Sequence, residues 1–185
     1  MIIDYSNFGD VVTFDTTYST NKELRPSGVF TSFTHHRRLT VFGATILFDE
    51  TAKSFKWLFE RFLVAHAGKR LKTIFMDQNP AMAKALSEVM PNTYPGLCTW
   101  HIMQNGIEHL GNLMKDGSSF LQVFKTCMFE FNDEIEFEKT WEDMIDTYAI
   151  YDRSWLDTIY KLKGKWAKCY MKERIYIGNT KYLTQ

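Results

Sequence analysis

Two aspartates, each directly after an apolar run, are the residues of this sequence best suited to chemistry. Asp15 follows the run VVTF at residues 11–14, and Asp77 follows TIFM at residues 73–76. Runs rich in β-branched and aromatic residues are typical of buried strands, so each strand would carry a carboxylate to the rim of a sheet. Two such strands side by side would bring two carboxylates within reach of one divalent cation.

A carboxylate pair of this kind predicts a site for Mg²⁺ or Mn²⁺, because these hard cations are held by a few carboxylates together with water and substrate phosphates. Such ions suit phosphoryl transfer on nucleic acid, where they activate the attacking oxygen and stabilise the leaving oxygen. Spacing alone makes Asp15 and Asp77 candidate metal ligands. The alternative is that each aspartate only ends a strand and caps a turn, which is the common role of such residues.

The composition indicates one ordinary domain, or one domain with an appendage. The chain has 185 residues, of which 45% are hydrophobic and 16% aromatic, so it can bury a sizeable core. Its 22 basic and 22 acidic side chains cancel, which removes any general attraction to DNA or to an anionic membrane. We therefore expect DNA contact to depend on modules outside this chain or on a local patch. The densest basic cluster, HHRR at residues 35–38, is interpreted as a solvated hairpin tip.

The cysteine count and the hydropathy indicate a soluble, intracellular protein. Cys98, Cys127 and Cys169 are an odd number at wide spacing, unlike the disulfide framework of a small secreted protein. The sequence does not open with a signal peptide, and its apolar runs fall short of the ~20 residues that a membrane span needs. We expect no membrane association.

Hydrophobic periodicity predicts a first half that is rich in strands. Residues 39–48 are nearly continuously apolar and are predicted to be a central strand. The other predicted elements are a strand at 10–18, a loop at 21–28, a first hairpin arm at 30–36, a helix capped by Thr51 and stopped at Gly68, a strand at 72–76, a helix from Asn79-Pro80 to about Met90, and a short strand-like piece at 94–100.

Beyond His101 only helical periodicity remains, and its apolar stripes are interpreted as core. The order strand, hairpin, helix, strand, helix, strand is typical of a ribonuclease H-like core, in which the first and fourth strands are adjacent and parallel. The predicted fold class is therefore α/β: a ribonuclease H-like mixed sheet with flanking helices at residues 1–105, followed by an all-helical, insertion-like half at residues 106–185. Asp15 and Asp77 would be neighbours in this fold.

The residue sequences of several motifs resemble those of one family. FGDVVTFDTTY at residues 8–18 closely resembles the first catalytic block of Mutator-like element (MULE) transposases, and it is most similar to the plant far-red impaired response family that was domesticated from them. LCTWHI at residues 97–102 is similar to the family's Cys-x-x-His block. The resemblance continues over nearly the whole chain, through His35-His36 and residues 41–44, 49–51, 55–60, 72–74, 77–78, 81–82, 89–91 and 104–105.

By this resemblance, Asp15 and Asp77 are the first two members of the acidic metal-binding triad of a DDE transposase. His101 would lie near the rim of the active site, although a buried, hydrogen-bonded structural histidine is an equal alternative. The third acid of such enzymes is a glutamate beyond a helical insertion, and residues 175–178 and 184–185 look like the run that leads into it. We therefore expect a truncated core that lacks its third carboxylate and is inactive alone. The remaining acids of the helical half are interpreted as a solvated helix face: Glu134, Glu136, Glu138 and Glu142.

The Cys98-x-x-His101 spacing also suits a zinc-ligand pair. A structural zinc site needs four ligands, and no second Cys or His pair follows at suitable spacing, so zinc is not expected in this chain. His35 and His36 resemble the paired histidines of the family, and the resemblance does not assign them a role.

The resemblance implies a transposase-derived regulator of transcription that acts in the nucleus. Family members bind DNA through an N-terminal zinc-chelating domain and carry a C-terminal SWIM-type zinc finger, and neither motif occurs in these 185 residues. One alternative is a metal-dependent DDE transposase that cleaves and transfers DNA strands only in a longer chain. Another is a protein–protein interaction module built on the aromatic helical half. Homo- or hetero-dimers with family members are further expected partners.

Overall fold

A computed structural model describes residues 2–17, 25–34, 36 and 38–175. The features predicted at Tyr18, at His35 and at residues 176–185 lie outside the described residues. The helices and strands are, in chain order, α1 (Ile2–Phe8), β1 (Val11–Thr17), β2 (Ser27–Phe33), β3 (Leu39–Ile46), α2 (Ala52–Ala65), β4 (Thr73–Met76), α3 (Pro80–Val89), β5 (Tyr94–Leu97), α4 (Thr99–Leu110), α5 (Ser119–Phe129), α6 (Glu134–Thr147), α7 (Ser154–Lys161) and α8 (Lys168–Ile175).

The strands form one five-stranded mixed sheet in the order β3-β2-β1-β4-β5. β2 is antiparallel to both β1 and β3, whereas β1 and β4 are parallel neighbours at the centre. An antiparallel meander joined to parallel strands in this order is the ribonuclease H-like arrangement. The predicted α/β fold class is confirmed, and so is the central pairing of the first and fourth strands.

The prediction that residues 39–48 form a central strand is wrong. Among the described residues, β3 lies at the edge of the sheet and pairs only with β2. Leu39, Val41 and Ile46 are 61%, 47% and 60% exposed, and only Phe42 is fully buried, next to an irregularity in the pairing with β2. An apolar run predicts that these residues form a strand. It does not predict how many strands lie beside it, because that number depends on the rest of the fold.

One face of the sheet packs against α2 and α3, and this contact forms the first core. Phe14 and Phe30 lie under α2, with ring centroids 5.8 and 6.3 Å from that of Phe59. Helix α1, which the sequence analysis did not predict, adds Tyr5, whose hydroxyl donates to the Lys69 carbonyl at 3.0 Å. The buried set of this core includes Val12, Phe42, Phe55, Leu58, Phe62, Ile74, Met76, Met82, Ala85 and Leu86.

Both predicted helix starts in this half are confirmed. The Thr51 hydroxyl accepts the Ser54 N–H at 3.3 Å at the start of α2. Asn79 Oδ1 accepts the N–H groups of Ala81 and Met82 at 2.9 and 3.1 Å, ahead of α3. These caps fix where each helix begins and so where the preceding loop runs.

The chain divides into two compact units between Gly96 and Leu97. The boundary predicted at residue 105 stays a prediction. The helical unit has its own core around Trp166, which is fully buried. Its indole N–H donates to the Ile159 carbonyl at 2.8 Å, which ties the segment after α7 back onto that helix.

Glu138 is not part of a simple solvated helix face, as the sequence analysis had interpreted it. Its carboxylate accepts hydrogen bonds from the hydroxyls of Tyr160 and Tyr170 and pairs with Lys163 at 2.5 Å. Lys163 Nζ also lies 3.8 Å from the centre of the Tyr160 ring. This group, the Glu138 cluster, joins α6 to α7 and α8 through polar contacts. The neighbouring Glu134, Glu136 and Glu142 are exposed, as expected.

Candidate functional site

Parallel pairing of β1 and β4 brings the two predicted aspartates to one place. The register pairs Val11 with Thr73 and Thr13 with Phe75. Continued by two residues, the same register sets Asp77 beside Asp15. Neighbouring strands lie about 4.8 Å apart, and residues side by side in a parallel pair project from the same face. Both aspartates therefore project from one face, near the carboxyl ends of the two central strands.

The face that carries Asp15 is opposite the phenylalanine core. Val12 and Phe14 are fully buried against α2, so Asp15, which alternates with them along β1, points the other way. β1 continues past Asp15 to Thr17, so this aspartate is not a strand terminus, whereas Asp77 directly follows β4. Asp77 Oδ1 accepts the Gln78 N–H at 2.7 Å, which orients its carboxylate.

Two adjacent, half-buried carboxylates fit a hard divalent cation. Mg²⁺ is commonly bound through one or two carboxylates, with water and phosphate oxygens in the remaining positions. No group of three or more His, Cys, Asp or Glu residues is placed to hold a metal within the part of the chain that the structure describes. The donor set thus suits an ion with open positions, and it does not suit a closed structural site.

Cys98 and His101 form a thiol–imidazole pair on the first turn of α4. Cys98 is the half-buried residue before this helix. Burial alone would raise the pKa of its thiol, but the hydrogen bond and positive charge of His101 outweigh burial, so the pKa is lowered. The Cys-x-x-His spacing therefore brings Cys98 and His101 into contact with each other. The placing of His101 near the active-site rim stays a prediction.

We expect Cys98 to be the thiol that iodoacetamide modifies first. Burial raises the pKa of Cys127 to about 12 and also raises that of Cys169, and both side chains are buried. The thiolate is the reacting species, so His101→Ala should slow alkylation of Cys98 severalfold by removing the interaction that lowers its pKa. Mass spectrometry of the modified peptides between pH 6 and 9 measures this.

His109→Ala is the matched control, since His109 lies at the other end of α4. An unchanged Cys98 rate in His101→Ala, or faster labelling of Cys127 than of Cys98, would show that the pair does not activate the thiol.

A family model described as the MULE transposase domain matches residues 11–105, which include Asp15, Asp77, Cys98 and His101. This chain belongs to the MULE transposase domain family. The resemblance that the motifs predicted is therefore confirmed, and the matched region holds every residue assigned to the candidate site.

The relatives of this MULE domain include plant proteins of the predicted type. Protein FAR1-RELATED SEQUENCE 5 of Arabidopsis thaliana is 32% identical over 95% of this chain and 22% of its own length. Protein FAR-RED IMPAIRED RESPONSE 1 of the same plant is 31% identical over 95% of this chain and 21% of its own length. The chain thus spans about one fifth of these curated relatives. Nearly the whole chain is therefore similar to one portion of two far-red impaired response proteins.

Among solved structures, the catalytic domain of Mos1 mariner transposase is 14% identical over 96% of this chain and 90% of that chain, with a TM-score of 0.35. The ribonuclease H-like fold follows from the strand order of the sheet. No helix among the described residues is both long and apolar enough to cross a bilayer.

Proposed function

We propose that this MULE domain is the core of a DNA-associated transcription regulator that acts in the nucleus. The observation that carries the proposal is the similarity to the two Arabidopsis thaliana relatives over 95% of the chain. The balanced charge supports a core that relies on other modules of the whole protein for its main hold on DNA. In this proposal the domain positions those modules and partner proteins, and strand transfer is not its role.

The regulator proposal is tested with the full-length protein in plant cells, with and without Asp15→Asn and Asp77→Asn together. We expect nuclear fluorescence of a tagged protein and enrichment at discrete loci in chromatin immunoprecipitation, both unchanged in the double variant. Exclusion from the nucleus, or loss of enrichment in the double variant, would contradict a regulator that works without metal chemistry.

A second candidate function is metal-dependent cleavage and transfer of DNA strands, which the adjacency of Asp15 and Asp77 favours. In this proposal the two carboxylates hold Mg²⁺ or Mn²⁺, and the two central strands fix them rigidly with respect to each other. The ion, when bound, would polarise a phosphodiester and activate a water molecule. The described residues supply only these two acids in a shared place, so we propose that cleavage requires a further carboxylate.

Incubation of the 185-residue chain with supercoiled plasmid and Mg²⁺ or Mn²⁺ separates the two candidates. We expect the plasmid to remain intact. Nicking that disappears in Asp15→Asn would overturn the regulator-only proposal and assign the chain a catalytic role.

We further infer that family members pair through the edge strand β3. Its sequence, LTVFGATI, contains neither a charged residue nor proline, and these are the usual protections of an exposed edge. Leu39, Val41 and Ile46 are exposed on this strand, whose outer edge pairs with no other strand in the part of the chain that the structure describes. A second copy can add the same strand antiparallel to it, with two-fold symmetry and matching apolar side chains.

Val41→Lys should shift this self-association toward monomer, because a lysine on an edge strand disfavours the addition of a second strand. Sedimentation velocity over a range of protein concentrations measures the shift. Val64→Lys is the matched control, since Val64 is 69% exposed on α2. Equal behaviour of both variants would exclude β3 as the interface.

A further inference from the structure

A cleft of about 510 Å³ lies where β3 ends and α2 begins, within the sheet-containing unit. Two of its lining residues are large exposed aromatics: Phe48 is 76% exposed and Trp57 is 52% exposed. Two others, Arg25 and Lys53, are exposed cations. Neither the acidic pair nor the first core accounts for this combination of flat apolar surfaces and positive charge.

The aromatic residues of the cleft lie outside the first core. Trp57 lies on α2 outside the stripe of Phe55, Leu58 and Phe59 that packs on the sheet. Phe48 lies two residues beyond the end of β3, and its ring is covered on one side by the Arg25 guanidinium at 5.2 Å. An arginine over an aromatic ring and an exposed indole are the kind of surfaces on which nucleic acid bases stack.

The electrostatics of the cleft suit a phosphate. Lys53 is in the first turn of α2, a 14-residue helix whose N-terminus carries a positive partial charge. Asp49, the acid in the lining, stays a carboxylate, so Arg25 and Lys53 leave the lining with a net charge of +1. Asp49 Oδ1 accepts from the Ser54 hydroxyl at 2.5 Å and from the Thr51 hydroxyl at 2.8 Å. These bonds keep its pKa below the ordinary value and hold the carboxylate in the turn before α2.

The cleft also lies at the end of the sheet that carries the acidic pair. Thr17, Ser27 and Ile46 pair in a row across β1, β2 and β3, and Ile46 lines the cleft. Two strand spacings, about 10 Å, separate β3 from β1. The cleft and the acidic pair therefore share one end of the sheet, with the cleft on the side of α2 and the acidic pair on the opposite face.

We propose that this cleft binds single-stranded DNA. An unstacked base stacks on Trp57 or Phe48, and its phosphate lies near Arg25, Lys53 and the N-terminus of α2. A duplex buries the faces of its bases and cannot make the stacking contact, so the cleft selects single strands. An isolated anion would not contact the aromatic rings of the cleft, and an apolar ligand would not pair with its cations. The proposal goes beyond the regulator role and does not depend on a bound metal.

The test is fluorescence anisotropy of a fluorescein-labelled 12-nucleotide oligothymidylate with the 185-residue chain in EDTA. We expect tighter binding to this strand than to a duplex of the same length. Trp57→Ala should raise the Kd about 5- to 150-fold, which corresponds to the loss of one base-stacking contact. Lys53→Ala should lower the slope of log affinity against log salt by about 0.7, which corresponds to one phosphate contact.

Matched controls separate the cleft from general surface effects. Trp100 is 55% exposed and lies outside the cleft, and Lys125 is an exposed lysine of the helical unit, so Trp100→Ala and Lys125→Ala should leave the Kd unchanged. Trp57→Phe keeps an aromatic face and should recover most of the affinity, which distinguishes stacking from a folding defect.

Equal losses in Trp57→Ala and Trp100→Ala, equal affinity for duplex and single strand, or no measurable binding would each overturn the proposal. Because EDTA removes divalent ions, failure of the metal site leaves this experiment unaffected.

Discussion

Trp166→Ala should lower the free energy of unfolding of the helical unit by about 3–5 kcal/mol, the range for removing a large buried aromatic side chain. Trp166 is fully buried, and its ring centroid lies 5.8 Å from that of Phe137 and 5.9 Å from that of Trp141. The substitution leaves a cavity between these rings. It also leaves the Ile159 carbonyl without the indole donor, which adds to the cost.

Urea unfolding followed by circular dichroism measures the effect, with Trp166→Phe as an intermediate variant that keeps a ring but lacks the donor. Tyr151→Ala is the control, because Tyr151 is fully exposed. A loss below about 1 kcal/mol in Trp166→Ala would mean that Trp166 does not organise this core.

Glu138→Gln should give the next largest loss, on the order of 2–4 kcal/mol, because it weakens three charge-assisted hydrogen bonds at once. The range allows for the 30% exposure of the Glu138 side chain and the 23% exposure of Lys163, which screen the ion pair. The glutamine keeps the shape of the side chain but not its charge, so the change isolates electrostatics from packing.

The Glu138 cluster also predicts a pH dependence. Partial burial alone would raise the pKa of Glu138, but the hydrogen bonds from Lys163, Tyr160 and Tyr170 outweigh it, and the pKa lies below its ordinary value of 4.5. A depressed pKa stabilises the fold fully above pH 4.5, and this stability is lost as the pH falls through the lower, folded-state pKa.

Acid unfolding of the wild type should therefore include a step that is missing in Glu138→Gln and kept in Glu142→Gln. Glu142 is the matched control because it is an exposed glutamate of the same helix. The same acid profile in both variants would show that the cluster does not carry the pH dependence.

Local signals in the sequence were enough to predict where α2 and α3 begin. Thr51 and Asn79 accept hydrogen bonds from N–H groups two or three residues away, so a short stretch of sequence contains both the cap and its partner. The edge position of β3 could not be predicted in this way, because an apolar strand shows the same pattern whether it has one neighbour or two. Helix α1 is short, and the ring of Tyr5 packs against Phe42 and Phe62, which are distant in sequence.

The same distinction applies to the candidate site. The adjacency of Asp15 and Asp77 followed from the order of strands, and the register of β1 on β4 agrees with it. The Glu138 cluster had no local signal, because Tyr160 and Tyr170 follow Glu138 by 22 and 32 residues. Trp57, by contrast, has a local signal in the sequence. It falls outside the apolar stripe of α2, and this position predicts an exposed aromatic side chain.

We propose that Asp15 and Asp77 of the candidate site together hold one divalent cation. Titration of the chain with Mn²⁺, followed by electron paramagnetic resonance of the free ion, tests it most directly. We expect a site whose affinity falls at least about tenfold in Asp15→Asn and in Asp77→Asn, with little further loss when both are changed, because each variant removes a ligand of the same ion. The exposed Asp143→Asn should bind like the wild type. Unchanged Mn²⁺ affinity in either single variant, or independent losses that add in the double variant, would contradict a shared site.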